Sequence, residues 1–252
     1  MERTAIPGRL TWQFGEIVAI QQETAHAKSL TLSVPQWGGH RAGQHVDIRL
    51  TAEDGYQVER SYSIASPPEE GRQIMLTIEL LEDGEVSPYL VEELRVGDKI
   101  ELRGPIGGYF VWEAGMGGPL LLVAGGSGIV PLMAMIRHRS AVGSTVPTRL
   151  LFSARSYDEI IYRDEFERLV AKTTGLEVIY TLTRSTPANW TSYRRRIDAE
   201  LLKEVAWPVE KHPLAYVCGP TEFVETAAAG LVAQGYASSR IKTERFGPTG
   251  GS

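Results

Sequence analysis

Residues 119–131 read PLLLVAGGSGIVP, an apolar run broken by glycines and closed by a proline. The run PLLLVA is apolar without alternation, as expected of a strand covered on both faces inside a parallel sheet. Glycines follow at once. Gly126 and Gly128, with Ser127 between them, let the backbone turn tightly and meet a ligand with no Cβ in the way. Pro131 suits a first helical position, where unpaired N–H groups attract phosphate. The spacing is GxGxxP and lacks the third glycine of the usual dinucleotide fingerprint. Taken alone, the stretch also reads as a plain strand-to-helix turn without a ligand.

Downstream the rhythm continues. Strand TRLLFSAR, helix YRDEFERLVAKT, strand LEVIYTLTR, helix DAELLKEVA, strand LAYVCGP, helix TEFVETAAAGLVAQG and strand IKTERF alternate without interruption. With PLLLVAGG this predicts an α/β unit: a parallel five-stranded sheet with helices on both sides. Upstream the pattern is different. TWQFGEIVAI, KSLTLSV, GQHVDIRL, VERSYSIAS, IMLTIELL and DKIELRG are short alternating or β-branched runs separated by turns. They predict an antiparallel six-stranded β-barrel, closed or nearly so. One helical pattern interrupts them, SPYLVEEL, with Ser87 as N-cap and Gly97 beyond its end. The chain therefore divides into residues 1–113 and 118–252 around the glycine-rich stretch 114–118.

Composition narrows the function. Over 252 residues, 42% hydrophobic and 23% charged residues are ordinary for a globular protein. No apolar run approaches the roughly 20 residues of a membrane span, and MERTAIPGRL has no secretory core. The single cysteine, Cys218, excludes an internal disulfide or a four-cysteine cluster within the chain. A cytoplasmic location without a metal site is expected. Residues 1–113 carry 10 Lys and Arg against 18 Asp and Glu, a charge of −8, whereas residues 114–252 carry 16 against 13, a charge of +3. The cationic half suits a small phosphate-bearing ligand, and neither half has the basic bias of a nucleic-acid binder.

Three further stretches carry candidate chemistry. In YVCGPTEF, Cys218 falls at the carboxyl end of a predicted parallel strand, where open α/β sheets bind ligands. Gly219 and Pro220 turn the chain there, and Thr221 caps the next helix. The ordinary alternative for Cys218 is a small buried hydrophobe. Arg155 and Arg184 end the other strands, and Arg194, Arg195 and Arg196 follow in one loop. A guanidinium grips phosphate bidentately, although solvated surface arginine is the plainer reading for some of them. In RSYSIAS, residues 60–66, a strand gathers a cation, a phenol and two hydroxyls, which half-exposed alternation alone would also produce.

Taken together, RSYS, GEVSPYL, GPIGGYF, GGSGIVP, YVCGP and ERFGPTG stand in the order found in the ferredoxin–NADP(+) reductase superfamily, and the chain resembles it from Gly15 to the C-terminus. The resemblance implies an antiparallel flavin-binding barrel followed by a parallel nicotinamide domain. It implies that Arg60 and Ser61 hold FAD with Tyr62 against its ring system and Ser63 near N5. It implies that Thr77, Ile78 and Glu79 line FAD through their backbone, and that Gly84, Val86 and Ser87 form its phosphate loop. That loop favours FAD over FMN. For NAD(P)H it implies Gly126, Ser127, Gly128 and Pro131 at the pyrophosphate, and Cys218, Gly219 and Pro220 at the nicotinamide. Arg155, Arg184, Arg195 and Arg196 are expected at a ribose phosphate, which leans towards NADPH; Asp158 or Glu159 would instead suit NADH. Ser63, Cys218 and Glu244 are the expected catalytic residues, with Phe246 covering the flavin. The chain departs from plant-type members by continuing past Phe246 with GPTGGS, and Arg195 replaces a common glycine. The implied activity is hydride transfer from NADPH or NADH to FAD, with electrons leaving for a separate acceptor, first of all a ferredoxin. A free-flavin or cytochrome reductase, and a flavin-binding subunit or sensor of a larger complex, are the competing expectations.

Overall fold

The computed structural model describes residues 10–246; the GPTGGS expectation lies outside them. The six upstream strands form as their alternation predicts: β1 Gln13–Thr24, β2 Ala27–Ser33, β3 His45–Thr51, β4 Gln57–Ser63, β5 Gln73–Glu79 and β6 Lys99–Ile106. All neighbours are antiparallel, in the order β4-β3-β6-β1-β2-β5. The inward residues, among them Ile17, Leu30, Leu32, Val46, Ile48, Ile74, Leu76 and Leu102, form one buried cluster. The two edge strands meet at a single antiparallel bridge, Ile64 to Leu76, beside an Ala65 N–H to Met75 carbonyl bond of 2.7 Å. Continued in register, that bridge would pair Tyr62 with Ile78 and Arg60 with Leu80. Neither pair forms, so the barrel is pinned at one point and left with an open seam beyond it.

The helical pattern at SPYLVEEL takes a wider form than expected. Tyr89–Glu93 is a π-helical turn, closed by a Leu94 N–H to Tyr89 carbonyl bond of 3.2 Å. Ser87 does not cap it. Its hydroxyl accepts the Leu81 N–H at 3.0 Å instead, which ties the loop back on itself.

The downstream half follows its predicted alternation: β7 Leu120–Gly125, α1 Ile129–Ala141, β8 Thr148–Ala154, α2 Arg163–Lys172, β9 Leu176–Leu182, α3 Ala199–Val205, β10 Leu214–Pro220, α4 Thr221–Ala233 and β11 Ile241–Phe246. The strands are parallel in the order β11-β10-β7-β8-β9. Alternate residues of β7 and β10 serve opposite layers. Leu120, Leu122, Ala124, Tyr216 and Cys218 face α1 and α2, whereas Leu121, Val123, Ala215 and Val217 face α3 and α4. α1 begins two residues before the expected start, so Pro131 is its third residue. The cost is small because the first four helical N–H groups have no intrahelical partner in any case. Thr221 is likewise the first residue of α4 rather than its cap, the preceding Pro220 taking that position without a side-chain bond.

The two halves pack as one. Ile129, Val130, Leu132, Met133, Ala134, Met135 and Ile136 are all buried, so α1 is apolar nearly all round and has protein on every side. Ala27, Ala42, Ala65, Phe110 and Trp112 of the upstream half share its cluster. Tyr216 donates its hydroxyl to the Val111 carbonyl at 2.6 Å, fastening the connecting segment to β10. Because of this packing the carboxyl edge of the sheet faces the β1–β2 turn and the end of β5.

Candidate functional site

The strand order reverses between β7 and β10, the point at which open α/β sheets accept ligands. A cleft of about 420 Å³ opens there, lined by Gly125, Gly126, Ser127, Ser153, Ala154, Arg155, Glu159, Thr183, Arg196, Ile197, Pro220, Glu222, Phe223, Thr226 and Phe246. From the barrel side come Thr24, His26, Ala27 and Glu79. The glycines are there for a reason. Gly126 has φ +55°, which favours glycine, and a Cβ on Gly128 would lie 2.1 Å from the Cys218 carbonyl oxygen. The loop thus passes against β10 as bare backbone and lines the cleft with Gly125, Gly126 and Ser127 immediately ahead of α1, a cradle for a phosphate.

Of the four expected arginines the cleft takes Arg155 and Arg196. Arg155 is already engaged, pairing with Glu159 through Nε and standing 3.8 Å from Glu79 across the cleft. Arg196 has no ion-pair partner among the described residues. Arg184 is exposed outside the lining. Arg195 is spent on Asp198 and Glu200 at the start of α3, where Asp198 also accepts the Leu201 N–H at 2.8 Å. Its guanidinium therefore braces a helix cap, a role the RRRID run did not announce.

Behind the cleft stand Cys218 and Glu244, with Phe246 in its lining. Cys218 pairs in register with Glu244 on β11, and Gly219 and Pro220 with Arg245 and Phe246. Cys218 is fully buried. Burial, reinforced by the Glu244 charge, holds its thiol well above the usual range, so it is neutral and no nucleophile. Burial likewise raises Glu244 to about 7, and its Oε2 is buried without a partner. An orphaned carboxylate oxygen buried beside a cleft is a place to hold a proton.

The barrel seam carries a second group of expected residues. Ser63 is buried at the end of β4. Tyr62 is half-buried, and burial lifts its phenol to about 12, so it stays neutral. Arg60 pairs with Glu85 at 2.7 Å, and Tyr56 donates to the same carboxylate at 3.1 Å. Tyr56 lies in no quoted motif, and Glu85 lies within GEVSPYL, but nothing in the sequence marked either as a partner of Arg60 or of its carboxylate. Glu85 belongs to the loop 84–87, where Gly84 sits tight against Ser87 and Leu81 and Val86 anchors in the core. Ser61 turns away from the seam and donates to Asp47 on β3 at 2.7 Å. Thr77 and Ile78 bury their side chains, and of this stretch only Glu79 lines the cleft. Among the described residues no cluster of metal ligands occurs, and no helix is long and apolar enough to cross a membrane.

An open barrel seam bearing a cation, a phenol and a tied loop suits a flavin nucleotide, and a glycine-lined switch-point cleft suits a second dinucleotide. Together they define a two-domain oxidoreductase of flavin and nicotinamide nucleotides. The model of oxidoreductase FAD-binding domains matches residues 15–111, and that of oxidoreductase NAD-binding domains matches residues 122–229. The chain is 35% identical over 182 residues to ferredoxin–NADP reductase B of Sorangium cellulosum, covering 71% of this chain and 73% of that one. It is 29% identical over 211 residues to the glycine betaine monooxygenase reductase subunit of Chromohalobacter salexigens, covering 83% of this chain and 56% of that protein. The chain spans little more than half of such relatives. It superposes with a TM-score of 0.83 and 25% identity on the FAD- and NAD-binding domain of a nitric oxide dioxygenase from Vibrio cholerae, covering 94% and 99% of the two chains. The chain belongs to the ferredoxin reductase-like family of FAD- and NAD(P)-binding oxidoreductases.

Proposed function

We propose that this chain moves electrons from a reduced nicotinamide nucleotide through FAD to a separate acceptor, a ferredoxin or comparable redox protein. The observation that carries the reading is the switch-point cleft, in which the glycine loop, Pro220 and Phe246 stand opposite Glu79 at the end of β5, with Cys218 and Glu244 paired in register just beneath Pro220 and Phe246. The names of the relatives support the acceptor class, one being a ferredoxin–NADP reductase and another the reductase subunit of a monooxygenase. Residues 1–113 act as the FAD unit and residues 118–252 as the nicotinamide unit, and a cytoplasmic setting, where reduced nicotinamide nucleotide is at hand, is compatible with this reading.

Bound FAD would supply acceptance of two electrons and their release singly. The protein's part is position and charge. Arg60 leaves Glu85 to grip the flavin phosphates, with the loop of Gly84, Val86 and Ser87 offering backbone N–H groups. Tyr62 and Ser63 hold the ring system from β4, and Thr77, Ile78 and Glu79 border it from β5. The loop of Gly126, Ser127 and Gly128, backed by Pro131, holds the second pyrophosphate. Cys218, with Gly219 and Pro220, presents an uncharged, compact wall to the nicotinamide. Glu244 holds or releases a proton near neutrality, and Phe246 shields the contact from water.

The cleft supports NADH over NADPH. Arg155 is compensated by Glu159 and Glu79, and Arg195 by Asp198 and Glu200. A 2′-phosphate entering here would meet Glu79, Glu159 and Glu222, with Arg196 the cation of the lining that has no carboxylate partner among the described residues. Anaerobic titration of FAD-loaded protein with NADH and with NADPH tests the reading. Bleaching of the flavin absorbance at lower NADH concentration is expected, and no bleaching by either nucleotide would sink it.

A further inference from the structure

Away from the cleft, a buried polar cluster binds the two halves together. Arg137 on α1 donates Nε and Nη2 to the two oxygens of Glu165 on α2, at 2.9 and 2.6 Å. Its Nη1 donates to the Ala65 carbonyl at 2.9 Å and stands 3.3 Å from the Met75 sulfur. The guanidinium also lies 4.9 Å from the centre of the Tyr162 ring. Tyr162 is buried at φ +62°, one of two described non-glycine residues in the left-handed region. Strain of that kind persists where surroundings fix the residue. Its hydroxyl donates to Thr77 Oγ1, Thr77 pairs with Ser29 at 2.8 Å, and Ser29 donates to Glu23 at 2.6 Å.

The location of this grip is the point. Ala65 and Met75 share the hydrogen bond next to the Ile64–Leu76 bridge, where the barrel is pinned and the seam begins. Ala65 lies two residues past Ser63, and Thr77 two before Glu79. On the other side, Arg137 rides on the helix whose start carries the glycine loop, eight residues or roughly 12 Å along its axis. One rigid element therefore ends at the nucleotide cradle and is bolted to both edges of the flavin seam.

We propose that Arg137 and Tyr162 are positioning residues that fix the spacing between the flavin seam and the nucleotide cradle, an assignment that rests on the reductase reading above. Arginine is required because one fork must serve a carboxylate and a carbonyl together, which a lysine ammonium cannot do with the same rigidity. Tyrosine is required because its ring supports the guanidinium while its hydroxyl reaches β5.

Tyr162→Phe and Arg137→Lys test the assignment by two readouts. In flavin-free protein, hydrogen exchange at residues 64–66 and 75–79 should rise at least fivefold in both variants, while β7 and α4 stay unchanged. In FAD-loaded protein, the limiting rate of bleaching by NADH should fall about fivefold in Tyr162→Phe and further in Arg137→Lys, with the half-saturating NADH concentration unchanged. Exchange rising evenly along the chain, or a limiting rate unaltered in both variants, would overturn the proposal and leave a structural clamp alone. Failure of the wild-type protein to bleach would instead remove the reductase reading, and the exchange pattern would still decide whether the clamp governs the seam.

Discussion

The two ligand walls of this protein are built on opposite principles. The nucleotide cleft is made of backbone: glycines at the carboxyl edge of a parallel sheet, where Gly126 takes a left-handed φ and Gly128 lies against the Cys218 carbonyl. The flavin seam is made of side chains and a missing ladder: β4 and β5 touch once and then part. A backbone site is intolerant of any added atom, whereas a side-chain site tolerates change but depends on charge. Substitutions should therefore fail differently on the two sides.

The largest effect is expected at Gly128→Ala. Its methyl group has backbone, not a flexible side chain, in its way, so a loss of about 3 kcal/mol in urea unfolding is expected together with lost nucleotide binding. An unaltered unfolding midpoint would show that the loop can yield, and the contrast with the seam would weaken. Arg60→Ala comes next and should leave the fold intact. Losing a charge-assisted phosphate contact should weaken FAD binding by about 2 kcal/mol, or roughly 30-fold. Full FAD content after extensive dialysis would argue against that role.

Glu244 makes the sheet edge sensitive to pH. Its folded value, about 7, lies above its ordinary value of 4.5, so the folded state keeps the proton longer. The stability it contributes is complete below about pH 4.5 and is lost as pH rises through about 7. Glu244→Gln should thus remove about 1–2 kcal/mol of the stability decline between pH 5 and 8, with partial solvent access keeping it below the full shift. Parallel unfolding curves for both proteins across that range would contradict the burial of this carboxylate. The smallest effect belongs to Glu159→Gln, which frees Arg155 from an exposed pair worth under about 1 kcal/mol. The ratio of NADPH to NADH in kcat/KM should rise by about fivefold or less, and an unchanged ratio would take Glu159 out of nucleotide selection.

What the sequence disclosed follows the same division. Strand and helix order in both halves were legible because apolar periodicity and glycine position are local properties of the chain. The cleft glycines and Cys218 were legible for the same reason. The fates of the arginines were not. Nothing in RRRID separates Arg195, which braces Asp198, from Arg196, which reaches the cleft, since the distinction depends on a helix cap formed three residues later. Nor could periodicity show Ser61 turned to Asp47, or Arg60 resting on Glu85, because both partners come from other strands and loops. Arg137 and Tyr162 lay within ordinary helical text, and only packing brought them to Ala65 and Thr77.

The apolar cluster that α1 shares with Ala27, Ala42, Ala65, Phe110 and Trp112 has a consequence for how the molecule comes apart. Neither half can melt without exposing the oily flank of the other, so heat should dissolve the chain in a single calorimetric peak. Severed at the connecting segment, each fragment would carry a wound of bare hydrocarbon and clump rather than persist as a miniature of its former self.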